Sequence, residues 1–338
     1  MAAGSAALYP SAQAQSRGRG LGGSPTAFSH RIRAAREANQ EFDILEHCHE
    51  LGLSGTETFR PPATPEAISN YRRKAERYGL RVIFNVPLPK TSSEVAAFDG
   101  GVKAAREAGA DIIHAAMTAR RYEEFDTFAA FKQNFELCRR MVELAEPVLR
   151  KHRMKLAIEN HKGWRSAEQA AWIRRVGSEW VGVCFDFGNN LSLCETPAQT
   201  FENLEPYTLF CHLKDMGLDH YRDGFLLSEV PFGRGVTDLR AMVAALRKRD
   251  PNMLFCLEMI TRDPLRIPVF TDKYWATFDD SYSPLPARDL ARVLRLVRDN
   301  PPKFPLPRVE GLSASQRIKA EDDYNLQCIG YARKHLDL

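Results

Sequence analysis

Four successive apolar runs from Met154 onward each end on a side chain able to hold a metal ion. Met154–Ile158 stops at Glu159, Val181–Phe185 at Asp186, Thr208–Cys211 at His212 and Met253–Leu257 at Glu258. Short apolar runs bounded by polar residues read as buried strands. Between the first two, Ser166–Val176 has helical character and is long enough for a crossover. Packing gives no reason for four such endings in a row. In a parallel α/β barrel the C-terminal ends of the strands converge on one face, and active sites lie there.

Upstream the alternation of strand and helix continues. Gly52–Phe59 reads as a second strand with Glu57 near its end, Arg81–Val86 as a third, and Ile112–Ala115 as a fourth carrying His114. The first strand is expected around Pro25–Ser29, before a basic helix over Arg31–Leu51. Thr64 caps a helix reaching Tyr78, with Pro65 in its first turn. Gly101–Ala108 belongs to the next helix, and Phe125–His152 is a long one with a break expected near Pro147. Eight strands spaced roughly 25–45 residues apart predict an α/β fold, a single (β/α)8 TIM barrel. Its expected span is 25–280, with an N-terminal tail over 1–24 and a C-terminal helical extension over 281–338. That extension, helical from Ser313 to His335, is expected to pack on the barrel or on a partner subunit. Asp215–Val236 is a long polar connection, of a length that is usually functional or disordered. Its Gly233-x-Gly235 is read as shaping a turn.

Glu159, Asp186, His212 and Glu258 are separated by 27, 26 and 46 residues. Three carboxylates and one imidazole make a mostly hard site for one divalent metal ion, with Mn²⁺ favoured and Mg²⁺, Co²⁺ or Zn²⁺ as alternatives. Carboxylates crowded at a strand mouth are costly without a cation between them. Strand alternation points His161 the same way as Glu159, and Lys214 the same way as His212. Both are therefore candidates to meet the substrate. His114 either reaches the cavity or is a hydrogen-bonded core histidine. Arg262 either binds an anionic group or pairs with a nearby carboxylate such as Asp263. Trp164 and Trp275 either wall a sugar pocket or pack. Glu57 is a lesser site candidate.

The motifs IENH, FDFGN, HLKD and a late strand ending in Glu258 resemble the xylose isomerase-like barrel superfamily over about residues 28–280. That group includes sugar isomerases, ketose 3-epimerases, inosose dehydratases, related carbohydrate lyases and the AP endonucleases. The resemblance implies a single divalent-metal site on Glu159, Asp186, His212 and Glu258. It also implies that Glu159 and Glu258 serve as an acid/base pair. EMITRDPL followed by KYW is similar to a carbohydrate-lyase or decarboxylase branch. Two departures stand out. Asn189 occupies the position of a histidine usual after the aspartate, and Lys214 stands where epimerases carry an arginine.

The expected function is that of a metal-dependent sugar isomerase or epimerase working through an enediolate, by proton transfer beside a polarised carbonyl. A carbohydrate lyase or decarboxylase is the alternative. A hydrolytic metal nuclease, the rival from another class, lacks its extra histidines, and the net charge of +4 is spread along the chain without a basic aromatic patch. The partner is thus expected to be a small carbohydrate and not nucleic acid; a homo-oligomer is left open. No apolar run approaches 18 residues, so no membrane helix is expected. The seven cysteines show no CxxC spacing, and Cys184, Cys211 and Cys256 are read as small buried hydrophobes. AAGSAALYPSAQAQ resembles the back half of a twin-arginine signal, or is a plain tail. The first reading places the protein in the periplasm and the second in the cytoplasm.

Overall fold

A computed structural model describes residues 20–118, 120–278 and 287–338. Its strands are β1 (Leu21–Gly23), β2 (Gly55–Thr58), β3 (Arg81–Asn85), β4 (Ile112–Ala115), β5 (Lys155–Glu159) and β6 (Val181–Asp186). They continue with β7 (Thr208–Leu213), β8 (Asp215–Tyr221), β9 (Gly224–Val230), β10 (Phe255–Leu257) and β11 (Leu265–Ile267). β1 to β7 and β10 are parallel neighbours in a closed barrel, β10 sitting between β7 and β1. The single (β/α)8 barrel expected from the sequence is the fold.

Side-chain alternation divides each strand between two cores. Leu156, Ile158, Val183, Phe185, Cys211, Leu213, Phe255 and Leu257 face outward into the large core shared with the helices. Ile83, Ile112, Ala157, Cys184, Phe210, Leu254 and Cys256 fill the barrel interior. Two residues further along the same strands the inward positions are Asn85, His114, Glu159, Asp186, His212 and Glu258. The polar layer therefore sits directly on an apolar plug. Cys184, Cys211 and Cys256 are buried free thiols, as expected.

Several elements differ from the sequence reading. The first strand is Leu21–Gly23, inside the stretch read as tail, and Pro25–Phe28 is instead a 3₁₀ turn. Gly22 and Gly23 hid the strand: β1 pairs closely with β2 and β10, and a Cβ on Gly22 would stand 3.0 Å from the Gly55 carbonyl oxygen. The basic helix is two, Ser29–Glu37 and Ile44–Glu50, the second capped by Asp43. The long helix Phe128–His152 runs unbroken through Pro147. The expected tail and signal remnant over 1–19, and the start of the extension over 281–286, lie outside the described residues.

The largest correction concerns Asp215–Val236. It is no irregular loop but an antiparallel hairpin, β8 and β9, joined by β11 into a three-stranded sheet. The Arg222-Asp223-Gly224 turn, with Gly224 at φ +156°, and the apolar Phe225 and Leu227 after it were the available signals. At its base Asp215 accepts backbone N–H bonds from Gly233, Gly235 and Thr237 at 2.9, 2.9 and 3.2 Å. Gly233 sits at φ +80°, so the pair of glycines does shape a turn.

The helix Ala314–His335 packs on the first helix of the barrel. Buried Glu321 accepts from the backbone N–H of His30 (2.7 Å) and Arg31 (3.1 Å), two of the unsatisfied donors at that helix start. Arg31 returns a two-pronged bond to Asp322, both contacts at 2.6 Å. Glu321→Ala strands those donors, and urea unfolding is expected to show a loss of about 1–3 kcal/mol. An unchanged midpoint would mean that this contact does not hold the extension in place.

Candidate metal centre

The sequence places an asparagine after Glu159 and a Phe-Gly-Asn after Asp186, and both motifs have structural work. Asn160 bridges β5 and β6: its Oδ1 accepts from Asp186 N at 2.6 Å and its Nδ2 donates to Asp186 O at 2.8 Å. Asp186 Oδ1 then accepts the N–H groups of Gly188 (2.9 Å) and Asn189 (2.8 Å). This tight turn fixes the carboxylate and leaves Oδ2 free of hydrogen bonds among the described residues. After β5, Gly163 lets the loop pass Thr118, whose Oγ1 would lie 1.7 Å from any Cβ there.

His212 is oriented from behind. Its Nε2 lies 2.6 Å from Glu57 Oε2, so that nitrogen carries the proton. Among the described residues Nδ1 is left without a hydrogen bond, 3.5 Å from Glu258 Oε1 and 3.8 Å from Glu159 Oε1. Glu57 also accepts from Asn85 Nδ2 at 2.7 Å and meets His114 Nδ1 at 2.8 Å. Burial opposes ionisation of Glu57, but the two imidazoles hold its carboxyl well below the usual range. The lesser candidate of the sequence is thus the residue that orients both histidines.

Glu159, Asp186, His212 and Glu258 each offer one ligand atom, and the four atoms lie within 4.8 Å of one another. All four side chains are buried. A second set, His114, Cys184 and His212, shares the imidazole but lacks the carboxylates. Burial, with Glu258 and Glu159 nearby, raises the Asp186 carboxyl even though Lys214 works the other way. Lys214 Nζ stands 2.6 Å from Glu258 Oε2, and 2.7 Å from Asp186 Oδ2 but out of line for a hydrogen bond. The donor set fits a hard divalent cation. Three buried carboxylates demand positive charge, and among the described residues His212 Nδ1 and Asp186 Oδ2 have no hydrogen bond.

The other predicted residues are placed as follows. His161 gives its Nδ1 to the Thr118 carbonyl at 2.5 Å, and burial lowers its pKa to about 4, so a neutral ring has Nε2 free to accept. His114 Nε2 lies 3.3 Å from Glu159 Oε2, which brings this strand histidine into the polar layer. Arg262 pairs with Glu229, its Nε at 3.1 Å and Nη2 at 2.5 Å, rather than with Asp263. Trp164 is buried edge-on against Trp172 and Phe135, with ring centroids 4.9 and 5.8 Å away, so its ring serves core packing. Trp275 packs on Tyr274 and Phe278 at the rim.

Three participants were missed. Glu229 comes from β9, inside the segment read as loop, and reaches 3.9 Å from Lys214 Nζ. Thr26 donates to Glu258 Oε1 at 3.1 Å from the turn misread as a strand. Lys162 is buried and donates to Asn189 Oδ1, while Asn189 Nδ2 donates to Glu159 Oε1 at 2.9 Å. A lysine directly after IENH carried no spacing signal.

Residues 35–295 match the family model described as xylose isomerase-like TIM barrel, and the chain belongs to that family. No curated protein matches it in sequence. Among solved structures, D-psicose 3-epimerase is similar at TM-score 0.57 and 14% identity, over 94% of this chain and 99% of that one. A xylose isomerase-like TIM barrel protein from Mycobacterium smegmatis, in complex with magnesium, is similar at 0.52 and 16%, over 83% and 97%. The probable 3-DHS dehydratase from Bacillus anthracis is similar at 0.53 and 14%, over 71% and 92%. At these identities the likeness establishes the fold.

Partners that orient a metal-binding imidazole typically contribute about 10–100-fold in affinity. Glu57→Gln turns one acceptor oxygen into a donor facing the histidines. A chelator-competition titration is expected to show weakening of that order, and unchanged affinity would remove Glu57 from the site.

Proposed function

We propose that the protein is a divalent-metal-dependent sugar isomerase or epimerase. The observation that carries this reading is the convergence of Glu159, Asp186, His212 and Glu258 at the barrel mouth, their ligand atoms within 4.8 Å. Mn²⁺ is the favoured ion, with Mg²⁺, Co²⁺ or Zn²⁺ as alternatives, and when bound it supplies polarisation of a substrate oxygen. Among the described residues, Asn189 commits its side chain to Lys162 and Glu159, so it adds no ligand toward the larger cluster of a nuclease.

The chain's own residues supply the proton transfers. Glu159 and Glu258 are the acid/base pair, removing a proton beside the carbonyl and returning one. His114 and Asn189 hold Glu159, while Lys214 and Thr26 hold Glu258, so each carboxylate has a fixed orientation. His161, Arg262 and Lys214 are substrate contacts. A lyase or decarboxylase is the second reading, supported by the likeness to a probable dehydratase. A lyase uses the same proton abstraction and then expels a β-leaving group, whereas a decarboxylase reaches the same enediolate by losing CO₂ instead of a proton.

About one divalent ion per chain is expected by elemental analysis, lost in Glu159→Gln and in His212→Ala. Incubated with ketoses in D₂O, the metal-loaded protein is expected to exchange a carbon-bound hydrogen, and Glu258→Gln to slow this by about 10²-fold or more. Absence of metal after reconstitution would sink the reading. Loss of water or CO₂ without exchange would move it to the lyase.

A further inference from the structure

The cations that the sequence offered for anion binding are already matched. Lys214 lies between Asp186 and Glu258, and Arg262 is paired with Glu229. Lys162 is different. Its residue is 3% exposed, and the acceptor that the described residues give its Nζ is the neutral Oδ1 of Asn189. No carboxylate among the described residues lies within ion-pair distance of it. An ammonium has three N–H donors, so two are left over in a place water scarcely reaches. Buried charges are normally paired, and an unpaired one is strongly disfavoured.

Packing does not account for this residue, because an apolar side chain of the same length fills the space without stranding a charge. The Lys162 carbonyl does accept from Arg121 N at 3.0 Å, but any residue supplies a carbonyl. Burial, and then Lys214 and Arg262, push the Lys162 amine down to about 8, so it is still mostly charged at neutral pH. A divalent ion among the three ligand carboxylates gives Lys162 no partner. The three ligand carboxylates are matched by that ion together with Lys214. Glu229 is matched by Arg262. Among the described residues Lys162 remains the buried cation with no carboxylate beside it, one amide away from Glu159.

We propose that Lys162 is the counter-charge for a carboxylate on the substrate, which makes the substrate a sugar acid and not a neutral sugar. This rests on the metal-dependent sugar chemistry proposed above. Two free N–H groups on one cation suit the two oxygens of a carboxylate. A phosphate, with close to two charges and three outer oxygens, asks for more donors than this side chain has left.

The test is calorimetric titration of the Mn²⁺-loaded protein with D-glucuronate, D-gluconate, D-glucose 6-phosphate and D-fructose. At least one acid is expected to bind tenfold or more tighter than fructose. Lys162→Met is expected to lose that preference, the ratio of acid to fructose affinity falling tenfold or more. Equal binding of acids and fructose, preference for the phosphate, or discrimination kept by Lys162→Met would each overturn the proposal. A second readout needs no ligand. Lys162→Met removes an unpaired buried charge and is expected to melt above the wild type, whereas a lower Tm would show that the ammonium serves the fold and would overturn the assignment. Elemental analysis of both proteins separates the two readings. Wild type without metal defeats the metal-dependent reading. A metal-loaded wild type without acid preference defeats only this inference.

Discussion

Mutual repulsion among three buried carboxylates is the constraint on which the upper half of this barrel depends. Glu159, Asp186 and Glu258 project from three strands onto an apolar floor that offers them nothing. Their charge can be tolerated only where cations and N–H donors crowd in, and the surroundings follow from that need. The Asp186 turn, the Asn189 amide, the Thr26 hydroxyl and, toward Glu258, the Lys214 ammonium each spend a donor on one of the three. His212, turned by Glu57, presents a bare nitrogen to the same space. A site so built is poised for a divalent cation, because that ion supplies what the donors supply only in part.

Legibility of the fold followed the strength of periodic signals. β5, β6 and β7 are built on uninterrupted apolar runs, and Thr64 and Ser313 cap their helices. β1 was displaced because one leucine followed by two glycines carries no hydrophobic periodicity, and its identity comes from its neighbours on both sides. The hairpin was missed for a different reason. Its strands are partly polar, since one end of the sheet meets solvent at His220 and Tyr221 while the other reaches the site at Glu229.

The four candidate ligands were legible because strand ends and side-chain chemistry coincide in the sequence. What surrounds them was not, because it depends on contacts between residues far apart in the chain. Glu57 lies 155 positions from His212, and Glu229 lies 33 from Arg262. Lys162 was hidden more deeply, for its meaning lies in a contact that it does not make. No pattern of residue types reveals a missing partner.

Strand β7 and the hairpin share one continuous stretch of chain. His212 faces the centre, Lys214 crosses it, and Asp215 begins β8, anchored by the backbone donors of the turn beyond β9. Floor and roof of the site are therefore one mechanical part. A displacement of the hairpin is transmitted within three residues to an imidazole and an ammonium, so whatever seats itself beneath Glu229 is felt at the centre through covalent bonds.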